Sequence, residues 1–135
     1  MFSQCARLLA RYSLSTLFVA TFAVTVIRWI AFAAFADVPV VVWVSQAAHA
    51  VSFGLFHAVG IEFVRRIFVD GTEGRGQALY SAIGFGVGAA AGSAMAGFTW
   101  ASFGAGVTFL SAAALSLGGL GVALFGLRQA RHRSP

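Results

Sequence analysis

The chain has 135 residues, 59% of them hydrophobic and only 10% charged, with a mean hydropathy of +0.87; a water-soluble domain is about half apolar and about a quarter charged. Its net charge of +5 comes from nine basic residues, all arginine, against four acids. The arginines fall in three small clusters with Arg28 standing apart, which is membrane-protein punctuation and not a phosphate-binding face, so a soluble nucleic-acid-binding domain is excluded. The single Cys5 excludes a disulfide framework and offers no redox or zinc motif, and neither a cofactor nor a metal is expected.

A bilayer-crossing helix needs about 20 mostly apolar residues, each adding about 1.5 Å across a core of about 30 Å. Four stretches qualify, and the expected fold class is all-α: a polytopic membrane protein with four transmembrane helices. Residues 1–13 form an N-terminal segment carrying Arg7 and Arg11. Spans follow at 14–36, 39–64, 78–100 and 104–127, with a polar loop at 65–77 and a tail at 128–135. Ala34-Phe35-Ala36 resembles a signal-peptidase site, but the preceding apolar segment exceeds the 7 to 15 residues of a signal peptide and contains Arg28. All eight other arginines lie on one side of a four-pass layout, so the positive-inside rule places both termini and the 65–77 loop in the cytoplasm of a multi-pass protein of the cell (inner or plasma) membrane.

Span one sets Thr21, Thr25 and Arg28 at i, i+4 and i+7, on one helical face. Span two sets Ser45, Gln46, His49, Ser52 and His57 within an arc of about 140° at about 100° per residue, interleaved with Phe53 and Phe56. An ionisable residue inside hydrocarbon is costly and normally faces a protein interior or a water-filled cavity. The Asp37-Val38 turn makes the two spans antiparallel. Arg28 lies about nine residues before the turn and His49 about ten after it, which puts both near the bilayer middle. An always-charged guanidinium beside an imidazole that titrates near neutral pH points to an anion or carboxylate site with a proton-sensitive partner. Glu62 falls on the opposite face of span two, one turn from Arg65 and Arg66, and reads as an interfacial ion pair.

Span three carries Gly84, Gly88 and Gly92 at a spacing of four, a small-residue ridge that lets another helix approach closely. Span four has no ionisable group before Arg128 and reads as a peripheral support helix. Nothing here reads as an enzyme. No pair of membrane carboxylates offers acid/base work, and His49 and His57 share one helix, which excludes haem held between helices. Gly92-Ser93-Ala94 is only a faint echo of a serine-nucleophile motif.

The run from Gly74 to Ser81 (Gly-Arg-Gly-Gln-Ala-Leu-Tyr-Ser), followed by Gly84, Gly86, Gly88, Gly92 and Gly97, resembles the loop before helix eleven, and that helix, of the major facilitator superfamily. Arg28-Trp29, and the run from His49 to Ala58, resemble helices nine and ten of its 3-phenylpropionate-transporter-like branch. The resemblance runs from about Ser13 to Leu127. It implies that the four spans are the last four of a twelve-helix secondary transporter, with Arg75 and Gly76 in the cytoplasmic loop and Arg28, Gln46, His49, Ser52 and His57 along the substrate or proton pathway. Sugar-type proton symporters of the superfamily pair an arginine on helix nine with a His-x-x-Glu on helix ten; Arg28 and His49 resemble the first two, and Ser52 stands where the glutamate would be.

The expected function is therefore transmembrane transport, as the C-terminal portion of a major-facilitator-type transporter for proton-linked uptake of a small organic acid or similar solute, incomplete as a single chain. Its expected partners are the lipid bilayer, a small solute with protons, and either the missing transporter helices or another copy of the chain, with no nucleic acid. The alternative is a self-contained four-span protein, either a small dimeric exporter or a membrane assembly factor.

Overall fold

A computed structural model describes residue 7 and residues 11–133, apart from the side chains of 127 and 129–133. The described residues are helical apart from short turns, with no strand. Helix α1 (Leu14–Phe35) starts where the Ser13 hydroxyl accepts the Thr16 amide at 3.1 Å, satisfying one of the free N–H groups of a first turn. It stops at the Ala36-Asp37-Val38 turn. Pro39 then opens α2 (Pro39–Ile67) at a position where its missing N–H costs nothing. Arg65 and Arg66 lie in the last turn of α2, where cations complement the helix dipole.

The polar connection is shorter than the sequence implies. Arg65 and Arg66 still belong to α2, and Arg75, Gly76 and Gln77 already belong to α3 (Glu73–Ser81), which leaves residues 68–72 between them. Gly71 makes the turn at φ +86°, a left-handed conformation that favours glycine, and its amide donates to the Glu73 carboxylate at 2.8 Å. Beyond α3 the chain continues as a π-helical stretch, Ala82–Gly88, and then as α4 (Ala89–Arg133).

Among the described residues, three stretches are long and apolar enough to cross a membrane: Leu14–Phe35, Pro39–Ile67 and Glu73–Gly126. The sequence divides the last of these into two spans, whereas the helix is continuous except at Gly104, whose φ of 80° and ψ of 179° lie outside any helix. At 54 residues a straight helix would measure about 81 Å. It is not straight. Trp100 and Phe109, on either side of Gly104, stand 5.9 Å apart between ring centroids, and the limb before Gly104 faces the limb after it across a cavity.

α1 packs against both α2 and α4. On the α2 side, Leu14, Leu17, Leu55 and Val59 form a buried cluster with Phe18 and Phe63 against it. Phe18 is its hub, with ring centroids 5.1 Å from Phe22, 5.3 Å from Phe56 and 5.8 Å from Phe63. On the α4 side, Phe109 stacks on both Trp29 (5.8 Å) and Phe32 (5.2 Å), and Gly119 sits against the Phe22 ring, so the second limb runs antiparallel to α1. Large apolar side chains elsewhere point outward, Trp43 at 77% exposure among them. Such a surface would associate in water, but it matches hydrocarbon.

A buried cation in a candidate substrate cavity

The functional side chains come from the one seam that the short 36–38 turn makes obligatory, between α1 and α2. A cavity of about 260 Å³ opens there, lined on α1 by Thr21, Phe22, Thr25, Arg28 and Trp29 and on α2 by His49, Ser52, Phe53 and Phe56. Arg28 is only 6% exposed and Thr21 3%. The i, i+4, i+7 face expected on span one thus meets two members of the polar arc on span two, Arg28 with His49 among them.

The guanidinium is the chemical centre. Its Nε is buried without a hydrogen-bond acceptor, and no carboxylate pairs with Arg28 among the described residues. Its Cζ lies 4.0 Å from the Trp29 ring centroid and 5.9 Å from that of Phe32, a cation–π arrangement that partly offsets the missing counter-charge. The neighbouring hydroxyls spend their hydrogens on the backbone: Thr21 donates to the Phe18 carbonyl at 2.7 Å, Thr25 to the Thr21 carbonyl at 2.8 Å, and Ser52 to the His49 carbonyl at 3.3 Å. They therefore offer the cavity oxygen acceptors, and the strong donor left in it is Arg28. A buried cation with unspent donors and aromatic walls is the arrangement that recognises a carboxylate attached to a small apolar body.

The other residues singled out in the sequence lie elsewhere. Ser45 is buried, but it lines a separate groove of about 330 Å³ with Arg28, Val40 and Val44. Gln46 is exposed and does not border the Arg28 cavity. His57 is two turns beyond His49, against Tyr80 and Phe85, with its Nδ1 buried and unpartnered. Glu62 accepts from Arg65 Nε and Nη2 at 2.8 Å each and from Arg66 Nε at 2.9 Å, the ion pair that its position on the helix implies. Arg75 is exposed on α3, and Gly76 is buried under the Phe68 ring, where a Cβ would come within 2.6 Å.

Among the described residues nothing fills the glycine ridge: Gly84 and Gly92 have no atom within 4 Å of a would-be Cβ, and Gly88 meets only the Ile83 carbonyl oxygen. The close approaches occur at glycines outside that ridge: Gly60 against Tyr80, Gly76 against Phe68 and Gly119 against Phe22. Sequence reasoning also assigned no place in the cavity to Trp29, which lines it, or to Phe109, which stacks behind Trp29. Trp29 sits one residue, about 100°, from Arg28 on the wheel, so a face-by-face reading assigns it to lipid. Its partner Phe109 is 80 positions away.

Apolar helices of this length around a buried polar cavity define an α-helical integral membrane protein. The model of the MFS_1 like family matches residues 1–111, most of the chain, and the protein belongs to that family and with it to the major facilitator superfamily of transporters. Comparison with curated proteins and with solved structures finds no match.

Proposed function

We propose that the chain forms helices nine to twelve of a major-facilitator-type secondary transporter of the 3-phenylpropionate-transporter-like branch, acting in proton-linked uptake of a small organic acid across the cell membrane. The observation that carries the reading is Arg28: a guanidinium buried at mid-span, without an acid partner among the described residues, facing a cavity of about 260 Å³. Removing a cation from water costs several kcal/mol. A permanent counter-ion would offset that cost, and a transported carboxylate does so only while it is bound. His49 in the same cavity is the proton-sensitive partner, and with Ser52 where a glutamate would complete the family's pair, the imidazole handles the proton alone.

Four crossings, with both termini and the 68–72 connection in the cytoplasm, fit the arginine distribution and the break at Gly104. Alternating access rocks one bundle against another around a midplane site. The unfilled Gly84 and Gly92 positions support a partner bundle there, either the remaining transporter helices or another copy. The test is equilibrium binding of a radiolabelled short-chain carboxylate to the purified full chain in detergent. Arg28→Gln is expected to weaken binding by about 10- to 100-fold, as loss of hydrogen bonds to a charged group implies, while Arg128→Gln leaves it unchanged. Equal binding by both variants refutes the assignment.

A further inference from the structure

Arg28 stands at a divide. It lines two separate openings on the seam between α1 and α2: the cavity with His49 and Ser52, and the groove with Val44 and Ser45. A cationic head on a long rotatable stem can serve either side unless something holds it. The contact that holds it is with Trp29. Residues one apart on a helix point about 100° away from each other and do not ordinarily touch. The guanidinium Cζ nevertheless lies 4.0 Å from the Trp29 ring centroid, so the stem bends round the helix toward the indole. Trp29 lines the His49 cavity and not the Ser45 groove. The Phe32 ring, at 5.9 Å, is near the outer limit for a cation–π pair. The indole is itself seated on α4, since Phe109 stacks on it at 5.8 Å with the planes 19° apart, and Phe109 packs in turn on Trp100 at 5.9 Å.

We propose that Trp29 is a positioning residue: it acts through Arg28, keeping the guanidinium on the His49 side of the seam with its donor edge open to the ligand. This rests on the carboxylate reading above. The donors of a guanidinium lie in its plane. An indole on its face therefore uses none of them, and a carboxylate can meet them edge-on. Without the ring the head divides its time between the two openings, in the second of which Ser45 supplies a hydroxyl oxygen. Apparent affinity then falls with the fraction of time that the head spends beside His49.

The test measures binding of radiolabelled acetate to the purified full chain in detergent by equilibrium dialysis, with thermal unfolding recorded for every variant. Trp29→Leu is expected to lower affinity by about 3- to 30-fold, the range that a cation–π contact supports. Trp29→Phe, smaller than the indole but still aromatic, stays within about twofold of the wild type. Trp29→Met takes the place of the leucine variant if that one does not fold. In Arg28→Gln, which has no guanidinium to position, adding Trp29→Leu lowers the residual binding no further, a non-additivity that a double-mutant cycle reads. Val44 borders the Ser45 groove at 63% exposure, so Val44→Phe obstructs that side; alone it leaves affinity unchanged, and added to Trp29→Leu it restores most of the loss. If Trp29→Leu and Trp29→Phe bind acetate equally, or if Trp29→Leu costs as much in Arg28→Gln as in the wild type, the positioning role is overturned and Arg28 remains the carboxylate site. If Arg28→Gln binds acetate as tightly as the wild type, the carboxylate reading fails and the positioning role with it.

Discussion

Replacing Arg28 with methionine separates stability from function. Arg28 is 6% exposed, has no carboxylate partner among the described residues, and its Nε lacks an acceptor. An arginine at the centre of a membrane helix costs about 2.5 to 3.5 kcal/mol on insertion scales, and its cation–π contact with Trp29 at 4.0 Å returns about 0.5 to 2 kcal/mol. Methionine keeps the length of the stem and the packing against the Trp29 ring and removes the charge. The net expectation is a gain of about 0.5 to 3 kcal/mol, or roughly 2 to 15 °C in unfolding temperature for a chain of this size. Affinity for a short carboxylate falls about 10- to 100-fold in the same variant. Residues kept for function at a cost in stability behave this way. The assay is thermal unfolding in detergent by far-ultraviolet circular dichroism, with and without millimolar acetate. Acetate stabilises the wild type but not Arg28→Met. If Arg28→Met instead lowers the unfolding temperature, the guanidinium is a structural element of the α1/α2 seam and the anion argument fails.

Five further substitutions test the packing of the chain. Gly60→Ala drives a methyl into the Tyr80 phenol and is expected to cost about 1 to 3 kcal/mol. Tyr80→Phe removes an oxygen that has no hydrogen-bond partner; alone it is neutral or stabilising, and combined with Gly60→Ala it recovers part of the loss, a coupling that a double-mutant cycle measures. Gly104→Ala places a side chain at φ 80°, ψ 179°, a region open essentially to glycine alone, and lowers stability by about 1 to 3 kcal/mol in chemical unfolding. Phe18→Ala removes the ring shared by Phe22, Phe56 and Phe63 and costs about 3 to 5 kcal/mol, whereas Phe125→Ala, at a ring 64% exposed, shifts the midpoint little. Equal shifts for the two phenylalanines would place the α1/α2 core elsewhere.

Much of the site was legible because it is local. Thr21, Thr25 and Arg28 share a face through helical geometry alone, and the short turn at 36–38 leaves α1 and α2 no arrangement except side by side and antiparallel. Depth counting from that turn brought Arg28 level with His49 before any packing was considered. The same counting cannot see rotation about a helix axis. Ser45, Gln46 and His57 shared the polar arc, but Ser45 turned to a neighbouring groove, Gln46 to the exterior and His57 to Tyr80 and Phe85. An arc of about 140° is wider than the strip one neighbouring helix can cover. The glycine spacing is legible as well, but its regular face assumes about 100° per residue, whereas Ala82–Gly88 is wound as a π-helix, and what covers those glycines is not written in the spacing.

What the amino-acid sequence determined by itself is the membrane setting, the helical class, the approximate helix ends and the pairing of Arg28 with His49. Each follows from composition, length or short-range periodicity, properties that a chain carries before it folds. Tertiary structure alone decided that α1 lies between α2 and the second limb of α4, that the break expected between the last two spans falls on the backbone of Gly104, and that Trp29 stands between two cavities. Those depend on contacts between residues as distant as Trp29 and Phe109. In hydrocarbon such contacts are chosen by shape and close packing, and shape complementarity across 80 positions leaves no periodic trace in a sequence.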